Sequence, residues 1–123
     1  MANILTAFRT IVSNYQTSIQ HVTNGSNRAN NMGDGLEAFV KEAFANTFNE
    51  TNEQTKLETF SRVYAYSGNK NNPPDLILSN SDAIEIKKLE SHNTAIALNS
   101  SYPKAKLFSN STMITTTCRN CET

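Results

Sequence analysis

Residues 72–91 read NPPDLILSNSDAIEIKKLES. Two short apolar runs within them, Asp75 to Leu78 and Ala83 to Lys88, are separated by the polar tetrapeptide Ser79-Asn80-Ser81-Asp82. Leucines and isoleucines bounded by Ser, Asn and Asp predict a β-hairpin with a four-residue loop. Side chains of a strand alternate between its faces, so Glu85 and Lys87 share one face, about 6 to 7 Å apart along the chain. Ile84 and Ile86 point the other way. Hairpin pairing can bring Asp75, at the opening of the first strand, alongside the Glu85 and Lys87 pair. The stretch therefore describes a sheet with a core on one side and two carboxylates with a lysine on the other.

Upstream of the hairpin, Leu36, Phe39, Val40, Ala43, Phe44 and Phe48 recur at i, i+3, i+4, i+7, i+8 and i+12, which predicts an amphipathic helix. Asp34 is placed to cap it, and Glu37 three residues later completes a capping-box pattern. A polar connection over 49–57 leads to an expected strand at Phe60 to Tyr66, whose aromatic and β-branched residues suit a pleated surface. Nearer the N-terminus, Ile4, Leu5, Phe8, Ile11 and Val12 form the stripe of a short helix expected to pack. Residues 13–34, rich in Asn, Ser, Thr and Gly, read as a loop because those side chains compete for backbone hydrogen bonds. Residues 91–123 carry no helical stripe and are interrupted at Tyr102-Pro103.

At 123 residues the chain has the size of one domain. Apolar residues make up 37%, charged residues 18%, and the formal net charge is zero, a balance that excludes a disordered tail or a coiled coil. Residues 1–86 hold six Lys or Arg against nine Asp or Glu, and residues 87–123 hold five against two. This mild gradient is compatible with a nucleic-acid groove beside an acidic site, yet charge alone does not make the chain a DNA binder. No apolar run is long enough for a signal peptide or membrane span. With its two cysteines close together at the end, the chain is expected in the reducing cytoplasm.

Two carboxylates on neighbouring strands suit a hard cation such as Mg²⁺, which takes oxygen ligands and keeps several waters. Asp75 and Glu85 would be those ligands, with the Ile86 carbonyl as a third. Lys87 could orient an attacking water or stabilise charge on a phosphoryl group. The plainer alternative is a half-buried strand whose Glu85 and Lys87 form an ordinary surface ion pair. Cys118-Arg119-Asn120-Cys121 has the spacing of half a zinc site, against the reading of two free thiols. His21 and His92 are isolated, and neither a Ser-His-Asp triad nor a phosphate-cradling glycine loop is present.

Four segments, NRANNMGDGLEAFVKEAFA at 27–45, the hairpin at 72–91, ALNSSYPKAKL at 97–107 and the terminal CRNCE, extend this pattern over nearly the whole chain. The order of elements resembles the PD-(D/E)xK nuclease fold, and the segments together resemble the NgoPII family of type II restriction endonucleases. The resemblance implies an α+β fold with an α/β-type three-layer core, in which Asp75, Glu85 and Lys87 are catalytic and Glu37 assists the metal. It further implies Mg²⁺ as cofactor, double-stranded DNA as substrate, a homodimer, and a short palindrome, GGCC in the family's namesake.

On that footing residues 1–34 form an N-terminal helix and loop, 35–90 the catalytic core, and 91–123 a segment that contacts DNA. Ser100, Ser101, Tyr102, Lys104 and Lys106 are the contact candidates, against the commoner outcome of a solvated loop. Because the expected helix and strand after the hairpin are not legible, the chain reads as an N-terminal fragment. A nonenzymatic nucleic-acid-binding module, an inactive remnant and a partner-binding α+β domain are the competing readings.

Overall fold

Asn3 and Thr6 begin the first helix by capping each other: the Asn3 amide donates to Thr6 Oγ1 at 2.9 Å and the Thr6 amide to Asn3 Oδ1 at 3.0 Å. This reciprocal pairing satisfies two donors that a helix start leaves open. The computed structural model describes residues 1–14, 28–68, 73–89, 91–96, 108 and 110–121, with the backbone alone for 28–33. Its elements are helices α1 (Ile4–Asn14), α2 (Arg28–Ala45) and α3 (Glu53–Val63), strands β1 (Tyr64–Tyr66), β2 (Leu76–Leu78) and β3 (Ala83–Ile84), and a short helix α4 (Thr116–Asn120). The strands form one antiparallel sheet in the order β1-β2-β3.

Helix α1 turns most of its expected stripe outward, Ile11 being the member that packs against the core. Ala7 and Thr10 are its buried residues, whereas Leu5, Phe8 and Val12 are 74%, 59% and 71% exposed. The small residues face the body of the protein, and a large side chain at either position would hold the helix away. Helix α2 begins at Arg28, well before Asp34, so Asp34 and Glu37 stand inside a helix and the capping-box expectation fails. Once the apolar LEAFVKEAFA segment nucleates helix, each added residue gains a backbone hydrogen bond, and the Asn and Gly upstream are carried along. The loop expected over 13–34 is therefore helical from Arg28, and its residues 15–27 lie outside the described ones.

The largest departure is α3, which occupies part of the expected connection and the first half of the expected strand. Asn52 caps it, accepting from the amides of Gln54 at 2.9 Å and Thr55 at 3.2 Å. Lys56, Thr59, Phe60 and Val63 are its half-buried positions, at i, i+3, i+4 and i+7. That is a helical spacing, and it overrides the strand preference of Phe60 and Val63. Only Tyr64–Tyr66 remains as strand. On the far side of α3's start, the Lys56 ammonium meets Glu42 of α2 at 2.8 Å and ties the two helices.

Leu76 and Leu78, fully buried, form the centre of the core with Ala7, Ala43, Phe44 and Tyr64. Ile84, Ile86, Val40, Phe48, Phe60 and Val63 pack against them. Tyr64 pairs with Leu78 but Tyr66 pairs with Ile77, so the ladder is irregular between them. Because paired residues share a face, this bulge sends Tyr64 and Tyr66 to opposite sides of the sheet. Tyr66 and Ile77 join Cys118 in a second buried cluster, with Ala65, Ile114 and Cys121 at its edge. Helix α4 thus covers the second face; at five residues it is too short to show as a helical stripe in the sequence. Thr115 caps α4 by accepting from the Cys118 amide at 3.1 Å, and lies 3.1 Å from the Tyr66 hydroxyl.

Candidate functional site

The hairpin loop has the expected four residues, Ser79 to Asp82, with Asn80 in the left-handed region at φ 55°, a conformation that asparagine tolerates. Beyond it the ladder is shorter than the sequence predicts: β3 covers Ala83–Ile84, and residues 85–88 continue outside the ladder. Their alternation survives. Ile84 and Ile86 pack into the core, while Glu85 and Lys87 are exposed. Continuing the register that pairs Leu76 with Ile84 and Ile77 with Ala83 sets Asp75 opposite Glu85.

A hydrogen bond replaces the ladder at this end. The Ile86 amide donates to Asp75 Oδ2 at 2.5 Å, so the carboxylate holds the third segment where backbone pairing has stopped. Lys87 Nζ lies 2.6 Å from Glu85 Oε1. Asp75, Glu85 and Lys87 are thereby brought to one edge, and the isoleucine between Glu85 and Lys87 anchors that edge through its side chain in the core and its amide on Asp75.

Asp75 is half-buried, and burial pushes its carboxyl above the ordinary carboxylate range. The neighbouring Glu85 charge acts in the same direction, opposed by the Ile86 amide and by the ammonium groups of Lys87 and Lys41. A carboxylate raised by desolvation and by a like charge is one that a cation would favour in its ionised form. The donor set is all oxygen, which fits a hard divalent ion held by two carboxylates and water. Among the described residues no group of three His, Cys, Asp or Glu side chains comes together in a way that could hold a metal.

Two residues of the site were not legible from pattern. Gly68, just past β1, has φ +70° and lies so close to Asp75 that a Cβ would overlap the Asp75 carbonyl oxygen. A lone glycine after a strand marks such an approach in general, but not its partner. Lys41 of α2 donates from Nζ to the Ser67 carbonyl at 3.5 Å. Nothing in the sequence separates it from a solvated helix lysine, because its neighbours come from helix docking.

The remaining candidates are dispersed or lie elsewhere. Glu37 is exposed one helical turn before Lys41, and the charges acting on Asp75 are those of Glu85, Lys87 and Lys41. Ser100, Ser101, Tyr102, Lys104 and Lys106 fall outside the described residues, as does His21. His92 is an exposed loop residue. Cys118 and Cys121 are free thiols. The Cys121 Sγ–H donates to the Cys118 carbonyl at 3.0 Å, and burial followed by the neighbouring Cys121 pushes the Cys118 thiol up. No helix among the described residues is long and apolar enough to cross a membrane.

The sequence matches the family described as NgoPII restriction endonuclease over residues 2–123. It is 42% identical over 120 residues to the type II restriction enzyme NgoPII of Neisseria gonorrhoeae. That alignment covers 98% of this chain and 43% of the relative, so the chain spans less than half the length of the curated relative it matches. No solved structure matches it.

Proposed function

Starting from the fact that this chain belongs to the NgoPII restriction endonuclease family, we propose that it carries the centre that hydrolyses phosphodiester bonds in double-stranded DNA, built on Asp75, Glu85 and Lys87. The observation that carries this reading is the joining of Asp75 to the Glu85-Ile86-Lys87 segment through the Ile86 amide. It gathers at one exposed edge the two carboxylates and the lysine that such hydrolysis uses.

The chemistry follows from the residue types. Asp75 and Glu85, with the Ile86 carbonyl, would hold Mg²⁺, and Glu37 would assist from α2; the bound ion supplies charge stabilisation at the phosphoryl oxygens. Lys87 exchanges its Glu85 partner for substrate, where its ammonium stabilises negative charge or orients the attacking water. DNA contacts from Ser100, Ser101, Tyr102, Lys104 and Lys106, a GGCC-like palindrome, a homodimer, a PD-(D/E)xK core and a cytoplasmic setting within a restriction system belong to the same proposal. A zinc ion at Cys118 and Cys121 is its least supported part, since two thiols supply half a tetrahedral site.

Replacing Asp75, Glu85 or Lys87 by Ala in the full-length protein is expected to abolish Mg²⁺-dependent cleavage of duplex DNA while leaving the circular dichroism spectrum intact. Cleavage that survives all three replacements would sink the assignment. One observation favours the nonenzymatic alternative: Glu85 and Lys87 already form an ion pair, the arrangement of an ordinary strand edge. Under that reading, DNA is retained and the three replacements change nothing that depends on metal.

A further inference from the structure

Lys41 is held at two points. Its backbone carbonyl accepts a hydrogen bond from the buried Tyr64 hydroxyl at 2.8 Å, which fixes this turn of α2 against β1. Its ammonium reaches across the end of β1 to the Ser67 carbonyl at 3.5 Å. Ser67 is followed by Gly68, whose backbone lies against the Asp75 carbonyl. Helix α2, the end of β1 and the Asp75 backbone are thus linked in turn, and the Lys41 charge is the weakest of those acting on the Asp75 carboxyl.

The two ammonium groups near Asp75 differ in what engages them. Lys87 is neutralised by Glu85 at 2.6 Å. Lys41 meets a neutral carbonyl at the long end of the hydrogen-bond range, where the interaction is weak. An ammonium with three donors and a flexible stem leaves such a partner readily for an anion. An edge bearing two carboxylates repels a polyanion unless cations flank it.

We propose that Lys41 is a DNA-backbone contact beside this edge, its ammonium binding a phosphate of the strand that Asp75 and Glu85 address. This rests on the nuclease reading above and adds to it a residue from a different element, α2, that approaches from the β1 side of the site. Lys41 would contribute affinity and register without reading bases.

The test is fluorescence anisotropy of a labelled short DNA duplex bound to the full chain, with Ca²⁺ replacing Mg²⁺ to limit cutting, over a range of salt concentrations. Loss of one phosphate contact makes the slope of log affinity against log salt shallower by about 0.9. Lys41→Gln is expected to show that loss with an unchanged melting temperature, and Lys41→Arg to restore the slope. Should Gln disturb folding, Lys41→Met, which keeps the alkyl stem, takes its place. An unchanged slope in the variant beside normal binding by the unsubstituted chain overturns this inference and leaves the nuclease reading standing. Absence of duplex binding by the unsubstituted chain, even at low salt, removes both.

Discussion

Asp75 and Ile86 are joined side chain to backbone, the carboxylate accepting from the amide at 2.5 Å just where the β2 and β3 ladder ends. The same carboxylate is half-buried and faces the Glu85 charge, and both effects raise its proton affinity in the folded protein. A structural task and an electrostatic cost therefore meet in one group.

The sign of that cost gives a pH prediction. A carboxyl whose folded pKa lies above its unfolded one stabilises the fold fully below the unfolded value, and this contribution is lost as pH rises through the folded value. At neutral pH without metal the ionised Asp75 is a burden, and Asp75→Asn, which can still accept from Ile86, relieves it. The variant is expected to melt slightly higher than the parent in EDTA, by no more than about 2–4 °C given the partial exposure. The advantage should shrink below the carboxylate range, and scanning calorimetry at two pH values reads it.

Gly68 tests how tightly the site is built. Alanine there meets both the positive φ and the overlap with the Asp75 carbonyl, and the left-handed conformation alone costs about 1–2 kcal/mol. Asparagine eases the dihedral but brings the same Cβ. Urea unfolding should find Gly68→Ala and Gly68→Asn similarly destabilised; an asparagine variant close to the parent would show that conformation, not proximity, selects glycine.

Leu78 is fully buried beside Tyr64. Its truncation to alanine removes core contacts and leaves a cavity, at a cost of about 2–5 kcal/mol, a large share of the stability of a small domain. Chemical denaturation should show the midpoint falling sharply with little change in slope.

Asn52→Ala deprives the first turn of α3 of the acceptor for two amides and is expected to cost about 1 kcal/mol. The loss should appear as faster amide hydrogen exchange at Gln54 and Thr55. Protection equal to the parent's would mean that solvent satisfies those groups equally well.

Local alternation made the hairpin legible: Ile84 and Ile86 inward, Glu85 and Lys87 outward, and a four-residue turn all follow from the order of residues. Asp75 required the register as well, and its bond to the Ile86 amide lies beyond what spacing can specify. Helix α3 departs from the expected strand because Phe60 and Val63 favour strands in isolation, and their burial at a helical spacing comes from packing on the core beside α2. The largely outward stripe of α1 has the same origin: Ala7 and Thr10 face the core with only Ile11 of the stripe beside them, and periodicity finds a stripe without saying which side the protein covers. Lys41 and Gly68 carry no chemical signature at all, since each matters only through a neighbour distant in sequence.

The bulge at Ala65 has a consequence for anyone aligning distant relatives by their apolar pattern. Two tyrosines spaced like same-side neighbours serve opposite interiors, so the even-odd ruler used to assign strand positions changes phase in the middle of β1. An alignment that skips one residue there would still look hydrophobic throughout, yet it would exchange the lining of the α2 side for that of the α4 side. Everything counted from that point, including which acidic residue is matched to Asp75, would inherit the error.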